Sequence, residues 1–114
     1  MKRALFIGRW QPLHDGHRWL FNQKLERHIP ILIAVRETDV GVNNPFTTEQ
    51  VIENLGSEYS EQVEKGMVKI ISIPDIESVN YGRGVGYEIN EFVPPEDIGT
   101  ISATKIRGEM KKDG

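Results

Sequence analysis

The stretch Ala4-Leu5-Phe6-Ile7-Gly8-Arg9-Trp10-Gln11-Pro12-Leu13-His14-Asp15-Gly16-His17 decides the fold of this chain. Its first four residues are bulky and apolar, a run short enough for a buried parallel strand. Beyond it, Trp19, Leu20, Phe21 and Leu25 stand among Arg18, Asn22, Gln23, Lys24, Glu26 and Arg27, a helical apolar stripe with a wet back. The unit is strand, tight turn, helix. The spacing puts Asp15 at the helix N-cap and Gly16 and His17 in its first turn, where unpaired N–H groups and the positive dipole end attract an anion such as phosphate. Gly8 lets the chain turn sharply off the strand and lets a ligand come close. His14 and His17 converge on one side of the helix start and offer N–H donors to phosphate oxygens. A His-x-x-His pair is also half of a zinc site, but the chain has no cysteine and His28 falls at the far end of the same helix, so ligand count argues against zinc.

Outward from this unit, Ile29-Pro30-Ile31-Leu32-Ile33-Ala34-Val35 reads as a second strand covered on both faces, ended by Arg36 and Glu37. Two such strands around one helix make a right-handed βαβ unit, and ligands in such sheets gather beyond the carboxyl ends of the strands. Arg36 then lies on the same rim as Gly8 and His14, either as a ligand contact or as a solvated strand-end arginine. Thr38 to Asn44 is a polar loop, and Thr47 to Gln50 forms a capping box ahead of Val51, Ile52 and Leu55, opening a helix expected to stop at Gly56. Phe46 either packs on a substrate or, the favoured role, staples onto that helix. Ser57 to Lys65 is weakly helical, and Met67 to Ile73 is a third strand ended by Pro74.

From Asp75 to Gly86 there is no clean period, and its alternate glycines are not a dinucleotide fingerprint because no helical stripe follows. The stretch is either a plain connection or a loop whose Asp75, Asn80, Tyr81 and Arg83 contact a substrate. Tyr87 to Val93 alternates and fits a half-exposed edge strand. In Ile101-Ser102-Ala103-Thr104-Lys105-Ile106-Arg107, Ser102 reads as an N-cap, Thr104 offers a hydroxyl and a backbone N–H to phosphate, and Arg107 adds a forked cation one turn on.

At 114 residues the chain suits one small domain with a modest core. Its net charge of −3 gives no basic footprint for nucleic acid. The absence of cysteine excludes a disulfide scaffold and fits a reducing compartment, and with no apolar run near about 18 residues neither a membrane span nor a signal peptide is expected. Cytoplasm is the expected location, and an exposed edge strand leaves room for copies to pair into a homo-oligomer.

The segment Gly8 to His17 resembles the signature of the nucleotidyltransferase superfamily, whose His-x-Gly-His residues hold the phosphates of a nucleoside triphosphate. Its Arg-aromatic-Gln-Pro form looks most like the archaeal-type nicotinamide mononucleotide adenylyltransferases, with Trp10 standing where Phe is usual. The Asn-Pro-Phe-Thr of residues 44–47 is similar to a segment those enzymes carry after their second strand, and Ile101 to Arg107 resembles the superfamily's second signature. The resemblance implies a single three-layer Rossmann-like α/β domain over residues 1–114, with a parallel sheet of four or five strands. It also implies transfer of a nucleotidyl group, adenylyl from ATP ahead of cytidylyl, to a small phosphate-bearing acceptor such as nicotinamide mononucleotide, with release of pyrophosphate. On that basis His14, His17 and Arg107 are the catalytic candidates, and Gly8, Arg9, Trp10, Gln11, Gly16, Ser102 and Thr104 the nucleotide-binding ones. Arg36, Phe46, Asn80, Tyr81 and Arg83 remain as substrate contacts. Mg²⁺ is expected on the substrate phosphates and water, with no metal site built from protein side chains. The competing functions are cytidylyl transfer, a sulfurylase-like reaction and a nucleotide sensor without turnover. A class I aminoacyl-tRNA synthetase shares a His-x-Gly-His segment, but so short and acidic a chain leaves no place for a tRNA-reading domain.

Overall fold

In a computed structural model, residues 2–42, 44–84 and 86–95 are described. Element order is β1 Ala4–Gly8, α1 Asp15–Leu25, β2 Ile31–Arg36, α2 Thr48–Glu58, α3 Ser60–Glu64 and β3 Val68–Ile73. All strand pairing among them is parallel, in the order β1-β2-β3, with Gly8 beside Val35 and Arg36 beside Ile73. The α/β class with a parallel sheet therefore stands. The described residues hold three strands where four or five were expected.

Why β2 lies in the middle follows from its residues: it is the longest unbroken apolar run in the chain, and Ile31, Ile33, Ala34 and Val35 are all buried in it. The flanking strands alternate more. Phe6 from β1, Ile31, Ile33 and Val35 from β2 and Val68 from β3 face Phe21 of α1 and Val51, Leu55 and Tyr59 about α2, forming one core. Phe21 meets both Phe6 and Tyr59 edge-on, at 5.3 and 5.7 Å between ring centres. Arg18 of α1 also reaches Glu58 of α2 at 2.9 Å. The two long helices thus share one face, as crossovers of the same hand must when the strand order steps in one direction. Two layers of the expected three are present among the described residues; Leu5 points to the other face and is 55 % exposed.

Three boundaries differ from those the sequence predicts. The helix α2 passes through Gly56 to Glu58 because Leu55 and Tyr59, one turn apart and both buried, carry the packing across a glycine that costs only about 1 kcal/mol. Its capping box, Thr47 with Gln50, forms as predicted. The edge strand predicted over Tyr87–Val93 does not form: these residues pair with no strand among the described residues, and Tyr87, Ile89 and Val93 are exposed. Alternation alone cannot supply a neighbouring ladder. Finally, α1 is capped by His14 rather than Asp15, whose carboxylate turns outward to Arg18 at 3.0 Å.

Two helix ends are closed by a left-handed residue. Gly66, with φ +79, completes α3, the Gly66 N–H reaching Val63 O and the Met67 N–H reaching Gln62 O. His28, with φ 59, does the same after α1, where the Ile29 N–H reaches Lys24 O. That role, at the end of the helix away from His14 and His17, removes His28 from any shared metal site.

Candidate functional site

The site is built where β1 gives way to α1, beyond the carboxyl end of the sheet. His14 is buried and extended at φ −144, ψ 176, and its Nδ1 accepts the Gly16 N–H at 3.0 Å. A ring nitrogen that accepts carries the lone pair, so in the neutral imidazole the proton sits on Nε2. The His14 carbonyl accepts the His17 and Arg18 N–H groups at 2.9 and 3.1 Å. The Gly16 and His17 amides are therefore engaged within the helix start, contrary to the expectation that they stand open for an anion. Side chains have to do that work. His14 and His17 do converge: their rings stack at 3.7 Å with an interplanar angle of 24°.

Beneath them lies Trp10, predicted to bind nucleotide. Its ring is 6 % exposed, packed at 4.9 Å against both His17 and Phe21, and Nε1 donates to Ala34 O at 3.1 Å. It is a floor for the imidazoles and part of the core. Gly8 is explained by the same ring, since a Cβ there would stand 3.0 Å from the indole Cε2 and Cζ2. The sharp backbone feature of the turn belongs instead to Trp10, whose φ is 55, and the Gln11–Pro12 peptide is cis.

The same turn is tied to residues that the sequence leaves far apart. Arg9 donates through Nη1 to Asn44 Oδ1 at 3.3 Å, and the wholly buried Gln11 accepts the Phe46 N–H on Oε1 at 2.9 Å. Phe46 is half-buried against the core that contains Val51, the residue a staple would meet, and its ring helps to close that core. Asn44 and the Phe46 amide are partners that no local pattern reveals; only the resemblance of Asn-Pro-Phe-Thr draws attention to them.

On the rim, Arg36 follows the buried part of β2 and is committed to Asp75, Nη2 to Oδ1 at 2.7 Å. Two predicted substrate contacts thus form one ion pair, which ties the chain after β3 to the end of β2. Asn80, Tyr81 and Arg83 are exposed, and Asn80 donates from Nδ2 to Ser78 Oγ at 2.9 Å. Tyr81, Arg83, Tyr87 and Ile89 line a shallow hollow. Ser102, Thr104 and Arg107 lie outside the described residues. Among the described residues no three His, Asp or Glu side chains gather as a metal site. None of the described helices is long and apolar enough to cross a membrane.

No protein-family model matches the chain. It is similar to curated proteins named nicotinamide-nucleotide adenylyltransferase from archaea. With that of Thermococcus kodakarensis it shares 38 % identity over 104 residues, covering 86 % of this chain and 52 % of the relative. The proteins of Thermococcus onnurineus and Thermococcus sibiricus are 32 % and 30 % identical over 85 % and 84 % of this chain. The chain spans about half the length of these relatives.

Proposed function

We propose that this chain, a relative of the archaeal nucleotidyltransferases, binds a nucleoside triphosphate at its β1–α1 turn and transfers the adenylyl group of ATP to nicotinamide mononucleotide. The observation that carries the proposal is the stacked pair His14 and His17 at the start of α1. Two imidazoles held face to face beside a positive helix end make a compact donor surface, and that suits a phosphate better than a metal.

In the reaction, a phosphate oxygen of the acceptor attacks the α-phosphorus in line, the bond to the bridging oxygen of the β-phosphate breaks, and pyrophosphate leaves with that electron pair. Such a displacement needs positioning and charge neutralisation more than a protein nucleophile. His17 donates to the α-phosphate oxygens, and His14 Nε2–H donates beside it. Arg9, held by Asn44, adds a cation at the same turn. Ser102, Thr104 and Arg107 are assigned to the β- and γ-phosphates by their resemblance to the second signature. Mg²⁺ would enter with the triphosphate and would supply charge neutralisation there.

A pyrophosphate-release screen tests the proposal. ATP and CTP are each offered with nicotinamide mononucleotide, phosphopantetheine, glycerol phosphate, phosphocholine and sulfate. Release with ATP and nicotinamide mononucleotide is expected, and ATP should raise the melting temperature more than CTP at equal concentration with Mg²⁺. Turnover with CTP and phosphocholine or glycerol phosphate would replace the proposal with cytidylyl transfer, and turnover with ATP and sulfate with a sulfurylase-like reaction. ATP binding without turnover on any acceptor would leave a sensor.

A further inference from the structure

We propose that Trp10 is a positioning residue for His17: by hanging its indole from the middle strand, it holds the imidazole in one orientation toward the phosphate. This rests on the role given to His17 above. His17 is only half-buried on the first turn of α1, so nothing in the helix backbone alone fixes its ring. Two neighbours do. His14 stacks on one face at 3.7 Å and 24°, and Trp10 meets the ring at 4.9 Å and 84°, almost at a right angle. A flat contact and a perpendicular one together leave the ring little freedom, because tilting it to ease one worsens the other.

Each neighbour is itself anchored. His14 is fixed by the Gly16 N–H, and Trp10 by three features: the bond from Nε1 to Ala34 O at 3.1 Å, the tilted packing on Phe21 at 4.9 Å, and the missing Cβ of Gly8 that makes room for the six-membered ring. The backbone of Trp10 is left-handed at φ 55, an unfavourable conformation for a bulky residue. A buried indole N–H needs an acceptor, and here the acceptor is Ala34 O of the middle strand, which fixes where the ring lies. The indole N–H is the atom that a phenylalanine at this position lacks, and it is what sets the height and tilt of the ring under His17.

Positioning and plain core filling differ in what they move. In isotopically labelled protein, three-bond couplings report the χ1 rotamer of each histidine, with exposed His28 at the far end of α1 as reference. In the native chain His17 should occupy one rotamer. In Trp10→Phe it should average over two or more while His28 is unchanged. Pyrophosphate release should fall about tenfold in kcat with the KM for ATP within about twofold, as misorientation of one donor predicts. Gly8→Ala, whose methyl pushes the indole without deleting it, should give the same pattern at smaller amplitude and serves if Trp10→Phe fails to fold. A folded Trp10→Phe protein with His17 still in one rotamer, or with averaged rotamers and unchanged kcat, overturns the inference. A native chain that turns over no acceptor while His17 loses its rotamer in Trp10→Phe refutes the enzymatic reading and leaves the anchoring of His17 in place.

Discussion

His14 performs two tasks that a pair of substitutions separates. Its Nδ1 caps α1 by accepting the Gly16 N–H at 3.0 Å, while its ring stacks on His17. His14→Ala removes both; His14→Asn keeps an acceptor of similar reach at the cap and removes the ring. A lost cap costs about 1 kcal/mol. Truncating a buried, stacked ring adds about 1 kcal/mol more. For a domain of this size 1 kcal/mol moves the melting temperature by roughly 4 °C, so His14→Ala should melt roughly 8 °C lower and His14→Asn roughly 4 °C lower. Turnover should behave differently, falling about 10²–10³-fold in both, because neither amide nor methyl replaces a preorganised imidazole donor. Thermal melts, amide exchange at Gly16 and steady-state pyrophosphate release measure the three quantities. Equal melting temperatures for the two variants would refute the capping role. Turnover of His14→Asn within tenfold of the native chain would reduce His14 to a helix cap.

Other expectations follow from single contacts. His17→Ala should lower turnover by about 10²–10³-fold while ATP affinity, measured by calorimetry, falls less than about tenfold, since its donor counts most in the transition state; equal losses would make His17 a uniform binding group. Gln11→Met leaves the Phe46 N–H without its acceptor and should cost about 1–3 kcal/mol, with faster exchange at the Phe46 amide, whereas unchanged exchange would show that the bond does not hold this segment. Burial, reinforced by the charge of Glu58 and opposed by Arg18, pushes the Tyr59 hydroxyl up to about 12 from 10.0. The unfolded chain therefore ionises first, and stability that is fully present below about pH 10 is lost as pH rises through the folded value. Urea melts should show this decline flattened in Tyr59→Phe, and an identical decline in both proteins would assign it to other groups.

What could be read in advance was what neighbours in sequence decide. The apolar runs of β1 and β2, the stripe of α1 and the Thr47–Gln50 box are local, and each forms within a residue or two of its predicted bounds. The convergence of His14 and His17 is legible for the same reason, since residues three apart across a helix start lie on one side. The cap of α1 is not legible in the sequence, because Asp15 and His14 both carry suitable acceptors and the choice depends on which side chain is buried. The burial of Trp10 is not legible in the sequence, because propensity does not point to a left-handed backbone at a bulky residue. The passage of α2 through Gly56 is not legible locally, because long-range packing of Leu55 and Tyr59 outweighs a small local penalty. Arg36 with Asp75, and Gln11 with Phe46, join residues far apart in the chain, a relation to which no period or spacing points.

Arg9 and Gln11 alternate along one turn and both end on the short stretch from Asn44 to Phe46. For anyone transplanting parts of this fold, the two stretches are one cassette. A graft that replaces residues 9–11 alone strands an amide on the other side, and a graft of 44–46 alone leaves a buried carboxamide facing a mismatched chain. Variants in either stretch should therefore be built, and searched for in libraries, as paired exchanges across both stretches.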